Sequence, residues 1–179
     1  MRLPSIFWIL GLCIFIIVLT AINLKPEEDI LNEAKDIAEQ TFSEPSNIET
    51  NHKIDAFSFY LPSYLKVVEE DEHNVILQNE EQTYIVFFNR LESPLSEVNY
   101  QAAKTEESVV YHSFEDDSKF GYIRILPNSN DYELQIGVGG VKITTYTTKE
   151  NIRREVKELM KMARSIVETS ENDFDADTD

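Results

Sequence analysis

The feature that most constrains this chain is its first apolar run, Leu3 to Leu24, which reads LPSIFWILGLCIFIIVLTAINL and holds no charged residue. A helix needs about 20 mostly apolar residues to cross the hydrocarbon core of a bilayer. A helix of a soluble domain needs a polar face, which this run lacks. Residues 1–25 therefore read as a membrane anchor, with contact to the membrane through residues 3–24. A cleaved secretory leader has an apolar region of roughly 7–15 residues before a small-x-small site. Here the run is longer, and cleavage after Ala21 would place Leu19 where a small residue belongs. The reading is a retained signal-anchor. Cys13 follows Leu12 in mid-run, which does not fit a lipid-attachment site, and as the chain's single cysteine it has no intramolecular disulfide partner.

The flanks give the orientation. Arg2 and the terminal amine precede the run; Lys25, the acids Glu27, Glu28 and Asp29, and Lys35 follow it. The balance of nearby Lys and Arg favours a cytoplasmic N-terminus and an extracytoplasmic remainder. That remainder is one domain by size. The chain has 33 acidic and 16 basic residues, a formal net charge of −17. Such a charge excludes the nucleic-acid binders, which need clustered Lys and Arg against phosphate. It also repels anionic headgroups and leaves room for a cation-rich partner.

Periodicity predicts the elements. Ile30, Leu31, Ala34, Ile37, Ala38 and Phe42 fall on one face of a helix over Glu27–Phe42, with acids in its first turn. Its acidic polar face favours packing on its own domain over lying in a membrane surface. The polar stretch from Ser43 to Lys53 reads as a linker, so that residues 26–53 are helix plus linker. Alternation over Ala56–Leu61 predicts a strand broken by Pro62. Tyr64–Glu69, Val75–Gln78, Thr83–Asn89, Ser108–Phe114, Lys119–Leu126, Tyr132–Val138 and Val141–Tyr146 follow as strands, joined by short polar turns that imply antiparallel pairing. Gly139-Gly140 is a two-residue hairpin turn. Tyr84–Phe88, apolar on both faces, predicts a central strand covered on both sides. Thr147 to Glu150 has the form of a capping box, with Thr147 as N-cap. The stripe Ile152, Val156, Leu159, Met160, Ala163, Ile166 and Val167 makes the closing helix, with Arg153, Arg154, Lys157, Lys161 and Arg164 outside the stripe. From Thr169 the acidic residues 169–179 read as a disordered tail. The fold class is α+β: transmembrane helix, amphipathic helix, antiparallel β-meander and a long C-terminal helix packed on the sheet, with residues 54–168 as the extracytoplasmic domain.

Phe57-Ser58-Phe59-Tyr60-Leu61-Pro62 opening a sheet, the meander, and a closing helix over Lys149–Val167 together resemble the PsbP/Mog1-like family of α/β/α sandwich domains, over roughly Ile54 to Val167. The chain is also similar to uncharacterised single-pass, extracytoplasmic domains of bacterial envelope proteins. What that resemblance implies is binding or assembly without catalysis. It brings no site residues.

The candidate chemistry is sparse. His52, His73 and His112 stand in no metal-ligand spacing. The acids Glu69, Glu70, Asp71 and Glu72 form a turn whose oxygens suit Ca²⁺, or a plain solvated turn. The tail from Asp173 to Asp179 begins like an EF-hand loop but lacks the glycine and the closing glutamate. No phosphate loop, nucleophile elbow or dinucleotide fingerprint occurs, and Gly139-Gly140 precedes a strand, not a helix. Among Phe57, Phe59, Tyr60, Tyr64, Tyr84, Phe87 and Phe88 most are core by burial tendency, and part can line a groove for a partner. An exposed sheet edge is a second route to a partner. These readings predict a non-enzymatic, membrane-anchored binding or assembly module of the cell envelope with a protein partner. No catalytic, cofactor or metal residue is assigned and no cofactor is implied. The alternatives are an envelope enzyme or a metal-dependent binder using Glu69, Asp71 and His73, and a helper whose anchor pairs with another membrane protein.

Overall fold

The computed structural model describes residues 11–15, 26–45 and 48–176, with side chains to residue 170. Of the run read as an anchor, only 11–15 is described, and it is helical; the rest lies outside the described residues. Among the described residues, no helix is long and apolar enough to cross a membrane.

Helix α1 spans Glu27–Ser43. The carbonyl of Pro26 accepts from the N–H of Asp29 at 3.1 Å, and three acids in the first turn complement the helix dipole. Its apolar stripe is buried, with Ala34 and Ala38 fully inaccessible. Such small residues let a neighbouring helix approach closely. That neighbour is α3, Ile152–Ala176. Glu27 pairs with Lys149 at 3.0 Å just before α3, Glu33 with Arg153 at 2.6 Å, and the Thr41 carbonyl with Arg164 at 2.6 Å. The numbers rise together, so the two helices run parallel.

Arg164 lay outside the apolar stripe of the sequence reading, yet it is fully buried. Its guanidinium donates to the carbonyls of Thr41 and Glu44 and pairs with Glu168 at 3.0 Å. The last carbonyls of a helix have no partner within it. Arg164 supplies one from α3 and so fastens the end of α1.

The residues His52–Lys53 form β1 and Ser58–Phe59 form β2, an antiparallel pair of their own. The expected strand over Ala56–Leu61 therefore does not open the main sheet, and the expected linker ends in a strand. The reason lies in its backbone donors. Tyr60 N–H donates to Ser165 Oγ on α3 at 2.8 Å, and Leu61 N–H to Asn51 Oδ1 at 2.7 Å. Side chains satisfy what a sheet neighbour would have satisfied.

Seven strands make the main sheet: β3 Lys66–Glu70, β4 Asn74–Asn79, β5 Gln82–Phe88, β6 Val110–Glu115, β7 Phe120–Asn128, β8 Asp131–Val138 and β9 Val141–Thr147. Their order is β3-β4-β5-β9-β8-β7-β6, every pair antiparallel. The expected meander is thus two meanders. After β5 the chain crosses to the far edge and returns through β6–β9 to pair β9 with β5. The β8–β9 turn is Gly139-Gly140 as predicted, with Gly139 at φ +50. A Cβ on Gly140 would meet the Asn89 carbonyl oxygen at 2.4 Å, so only glycine lets the crossing chain seal that turn.

Both long helices cover one face of the sheet, α1 over β6 and β7, α3 over β8 and β9. Helix α2, Val98–Ala102, lies on the other face, where Tyr100 packs against side chains of β6 and β7. The expectation that Tyr84–Phe88 is covered on both sides is overturned. Tyr84, Val86 and Phe88 are buried under the helices, while Ile85 is 47% exposed. Phe120–Ile125 in β7 is instead continuously buried, with α1 and α2 on opposite faces, and so is Leu134–Val138 in β8. Thr147 is also not an N-cap: it is the buried last residue of β9, opposite Tyr132. A turn over residues 148–151 precedes α3, with the Thr148 carbonyl accepting from Ile152 at 3.0 Å. Helix α3 stays helical in its backbone beyond Thr169, where the sequence reading begins the tail.

Candidate functional site

One row of residues crosses the whole sheet in register on the face away from the long helices: Glu69, Ile76, Ile85, Thr144, Gln135, Arg124 and Tyr111. Its two ends differ. At the β6–β7 end, α2 closes the face. Tyr100 stacks on Tyr111 with ring centroids 4.4 Å apart, and the Tyr111 hydroxyl donates to the Tyr100 carbonyl at 2.8 Å. Burial and the adjacent Tyr100 push the Tyr111 hydroxyl up to about 12. Phe120 and Tyr122 complete this second, smaller core.

At the β9–β5–β4 end nothing among the described residues covers the face. Ile85 and Tyr146 are 47% and 55% exposed, and Ile76 and Phe87 are half-buried beside them. Val68, at the bulge of β3, is 54% exposed at the margin. Lys142 lies over the Phe87 ring, 5.3 Å from its centroid. This is an apolar surface with a polar rim of Gln78, Thr83 and Lys142, the pattern of a protein-binding patch. Between the two halves runs a hydrogen-bonded ladder. Tyr122 donates to Gln135 Oε1 at 3.1 Å, and Gln135 Nε2 donates to Thr144 Oγ1 at 3.3 Å.

The residues weighed as chemistry are dispersed. His52 is in β1, edge-on to Phe59 at 5.3 Å; His112 is in β6, edge-on to Phe114 at 5.4 Å; His73 is in the β3–β4 turn. Asp71 shapes that turn, accepting from the backbone N–H groups of His73 and Asn74 at 2.8 Å each. These bonds hold its carboxyl below the usual range. Glu70, Asp71 and Glu72 border an open groove of about 440 Å³ together with Asp55 and Arg90. Among the described residues no three His, Cys, Asp or Glu side chains converge as a metal ion requires. Of the tail resembling an EF-hand, residues 173–176 have a helical backbone and 177–179 lie outside the described residues.

The aromatic group divides as its period predicts in part: Phe57, Phe59, Tyr84 and Phe88 are core, whereas Tyr60, Tyr64 and Phe87 are partly exposed. A polar cluster escaped the sequence reading. Glu155 is fully buried on the inner face of α3 and accepts from Tyr84 at 3.1 Å and Gln82 Nε2 at 3.1 Å. Gln82 Nε2 also donates to the Tyr146 carbonyl at 2.7 Å. The signal was present, since Glu155 sits one position before Val156 on the apolar stripe. Its oxygens are filled by donors of β5, so the cluster ties α3 to the sheet. Comparison with family models, curated proteins and solved structures gives no match for this chain.

Proposed function

We propose that this chain is a single-pass, membrane-tethered module of the cell envelope that binds a protein partner through the uncovered half of its sheet and performs no catalysis of its own. The observation that carries the reading is the exposed apolar surface of Ile85, Tyr146, Ile76 and Phe87 on a face whose other half is closed. An apolar patch of this kind rimmed by polar groups marks an interaction site more often than a bare sheet face. The charge-free run before Pro26 supports the tether and Arg2 the cytoplasmic N-terminus. Asp71, Asp116 and Glu155 each accept several hydrogen bonds and are used in holding two turns and a helix. The tether would enter at α1, whose first residue, Glu27, meets Tyr132 and Lys149. The open face would then stand beside the tether, clear of α1.

The test is in-cell crosslinking followed by capture of the full chain, of an anchor-only control and of an Ile85→Lys/Tyr146→Lys variant. The reading requires a discrete partner that the full chain captures and both controls lose. Equal capture by the double variant would overturn it.

A further inference from the structure

The sheet has two edges, and they are built differently. Edge strand β3 is irregular: its register shifts between Val67 and Glu69, and it carries Lys66, Glu69 and Glu70. Bulges and charges of this kind stop a sheet edge from pairing with another chain. Edge strand β6 has no bulge, and its one charge, Glu115, is its last residue. It pairs with β7 in unbroken register from Val110↔Ile125 to Glu115↔Phe120 and has no other strand neighbour among the described residues. From Ser108 through Phe114 it holds no charged side chain. Val110, Tyr111 and Phe114 are residues that favour strands. Alternate residues of such an edge direct their N–H and C=O groups away from the sheet.

The ends of β6 say what would pair there. Glu106 and Glu107 precede it, Glu115 ends it, and Asp116 and Asp117 follow it, all exposed. Asp116 is matched by Lys119 at 2.6 Å. The other acids leave a negative charge at each end of a neutral strand. A second copy paired antiparallel across a two-fold axis would bring these acids together at both ends. Like charges so placed are unfavourable. A segment with Lys or Arg at its two ends meets the opposite sign at both.

We infer that β6 is a strand acceptor: it takes an extended segment of a protein partner, about six uncharged residues flanked by Lys or Arg, as an antiparallel eighth strand. Backbone hydrogen bonds would hold the segment. Its alternate side chains would fall beside Tyr111 and Ser113 on one face and beside Val110, His112 and Phe114 on the other. This goes beyond the open face, which is a different surface of the same sheet.

The experiment uses the full chain in detergent micelles and two labelled peptides, Lys-Lys-Thr-Val-Thr-Val-Thr-Val-Lys-Lys and its Glu-flanked counterpart. Binding is read by fluorescence anisotropy and its site by amide hydrogen exchange. The Lys-flanked peptide should bind and slow exchange over residues 109–115 by about tenfold or more, leaving residues 66–70 unchanged. The Glu-flanked peptide, and the Glu106→Gln/Glu107→Gln/Glu115→Gln/Asp117→Asn variant with the Lys-flanked peptide, should each bind roughly tenfold more weakly at low salt. Those four residues are exposed, so the variant should keep its melting temperature. Ile85→Lys should bind the peptide as the parent does. Absence of binding, protection centred on residues 66–70, or loss of binding in Ile85→Lys would overturn the inference. So would concentration-dependent protection of 109–115 without peptide, which would make a second copy the occupant. Each of these results leaves the partner-capture experiment on the open face to be decided by itself.

Discussion

The two halves of one sheet face carry the same kind of strand and end in opposite states. At β6 and β7, Tyr111, Phe120 and Tyr122 are roofed by Tyr100 of α2. At β9 and β5, Ile85 and Tyr146 face outward with no cover among the described residues. The cause is the route of the chain between β5 and β6. It does not cross the face diagonally. It passes over the β8–β9 turn, where Asn89 N–H donates to the Gly140 carbonyl at 3.1 Å and Phe120 N–H to the Pro94 carbonyl at 3.0 Å. Only then does it drop α2 onto the far half. The comparison teaches that apolar content does not decide burial on a sheet face. The path of one connection decides which half becomes core and which half is left to present its side chains.

That contrast can be broken at the covered half first. Tyr122→Ala removes a buried ring and should cost about 3–5 kcal/mol, measured by urea unfolding, as for other buried aromatics. Next in size is Gly137→Ala. A Cβ there would fall 2.1 Å from Tyr122 Cε1, and the overpacking should cost about 2–3 kcal/mol. Tyr122→Phe is smaller: it leaves the buried Gln135 Oε1 without its donor and should cost about 1–2 kcal/mol. On the open half, Ile85→Ser and Tyr146→Ser should change stability by no more than about 0.5 kcal/mol while abolishing capture of the partner.

The covered half should also respond to alkali. The Tyr111 hydroxyl is pushed up to about 12 by burial and by Tyr100. In an unfolded chain it would titrate near 10. The folded state therefore favours the protonated form. Its contribution is complete below about pH 10 and is lost as pH rises through about 12. A melting series across that range should show stability falling, and Tyr111→Phe should flatten the fall. An unchanged slope in Tyr111→Phe would remove Tyr111 from the account.

Much of the fold was legible because it is local. The helix from Glu27, the strands from Lys66 onward and the turn at Gly139-Gly140 all follow from period and turn chemistry. What was not legible depends on partners far along the chain. Ser58–Phe59 leaves the main sheet because Tyr60 finds Ser165. Arg164, placed outside the apolar stripe, and Glu155, which carried no assignment, are both buried because their partners are Thr41, Glu44, Tyr84 and Gln82. Helix α2 gave no clear signal, and without it the doubly apolar Tyr84–Phe88 looked covered. A strand that presents apolar side chains has the same composition as one that buries them. The open surface was therefore invisible in the sequence, although Ile85 and Phe87 were plainly marked as apolar.

The central claim is that the open half of the sheet is the binding surface of a tethered module. Site-specific photo-crosslinking in intact membranes tests it most directly, with the crosslinker placed in turn at Ile85, at Tyr146 and at Gln101 on the exposed side of α2. The account predicts a discrete covalent adduct from positions 85 and 146 and none from 101. Adducts from 101 alone, or none from 85 and 146 while the chain still captures its partner, would contradict it.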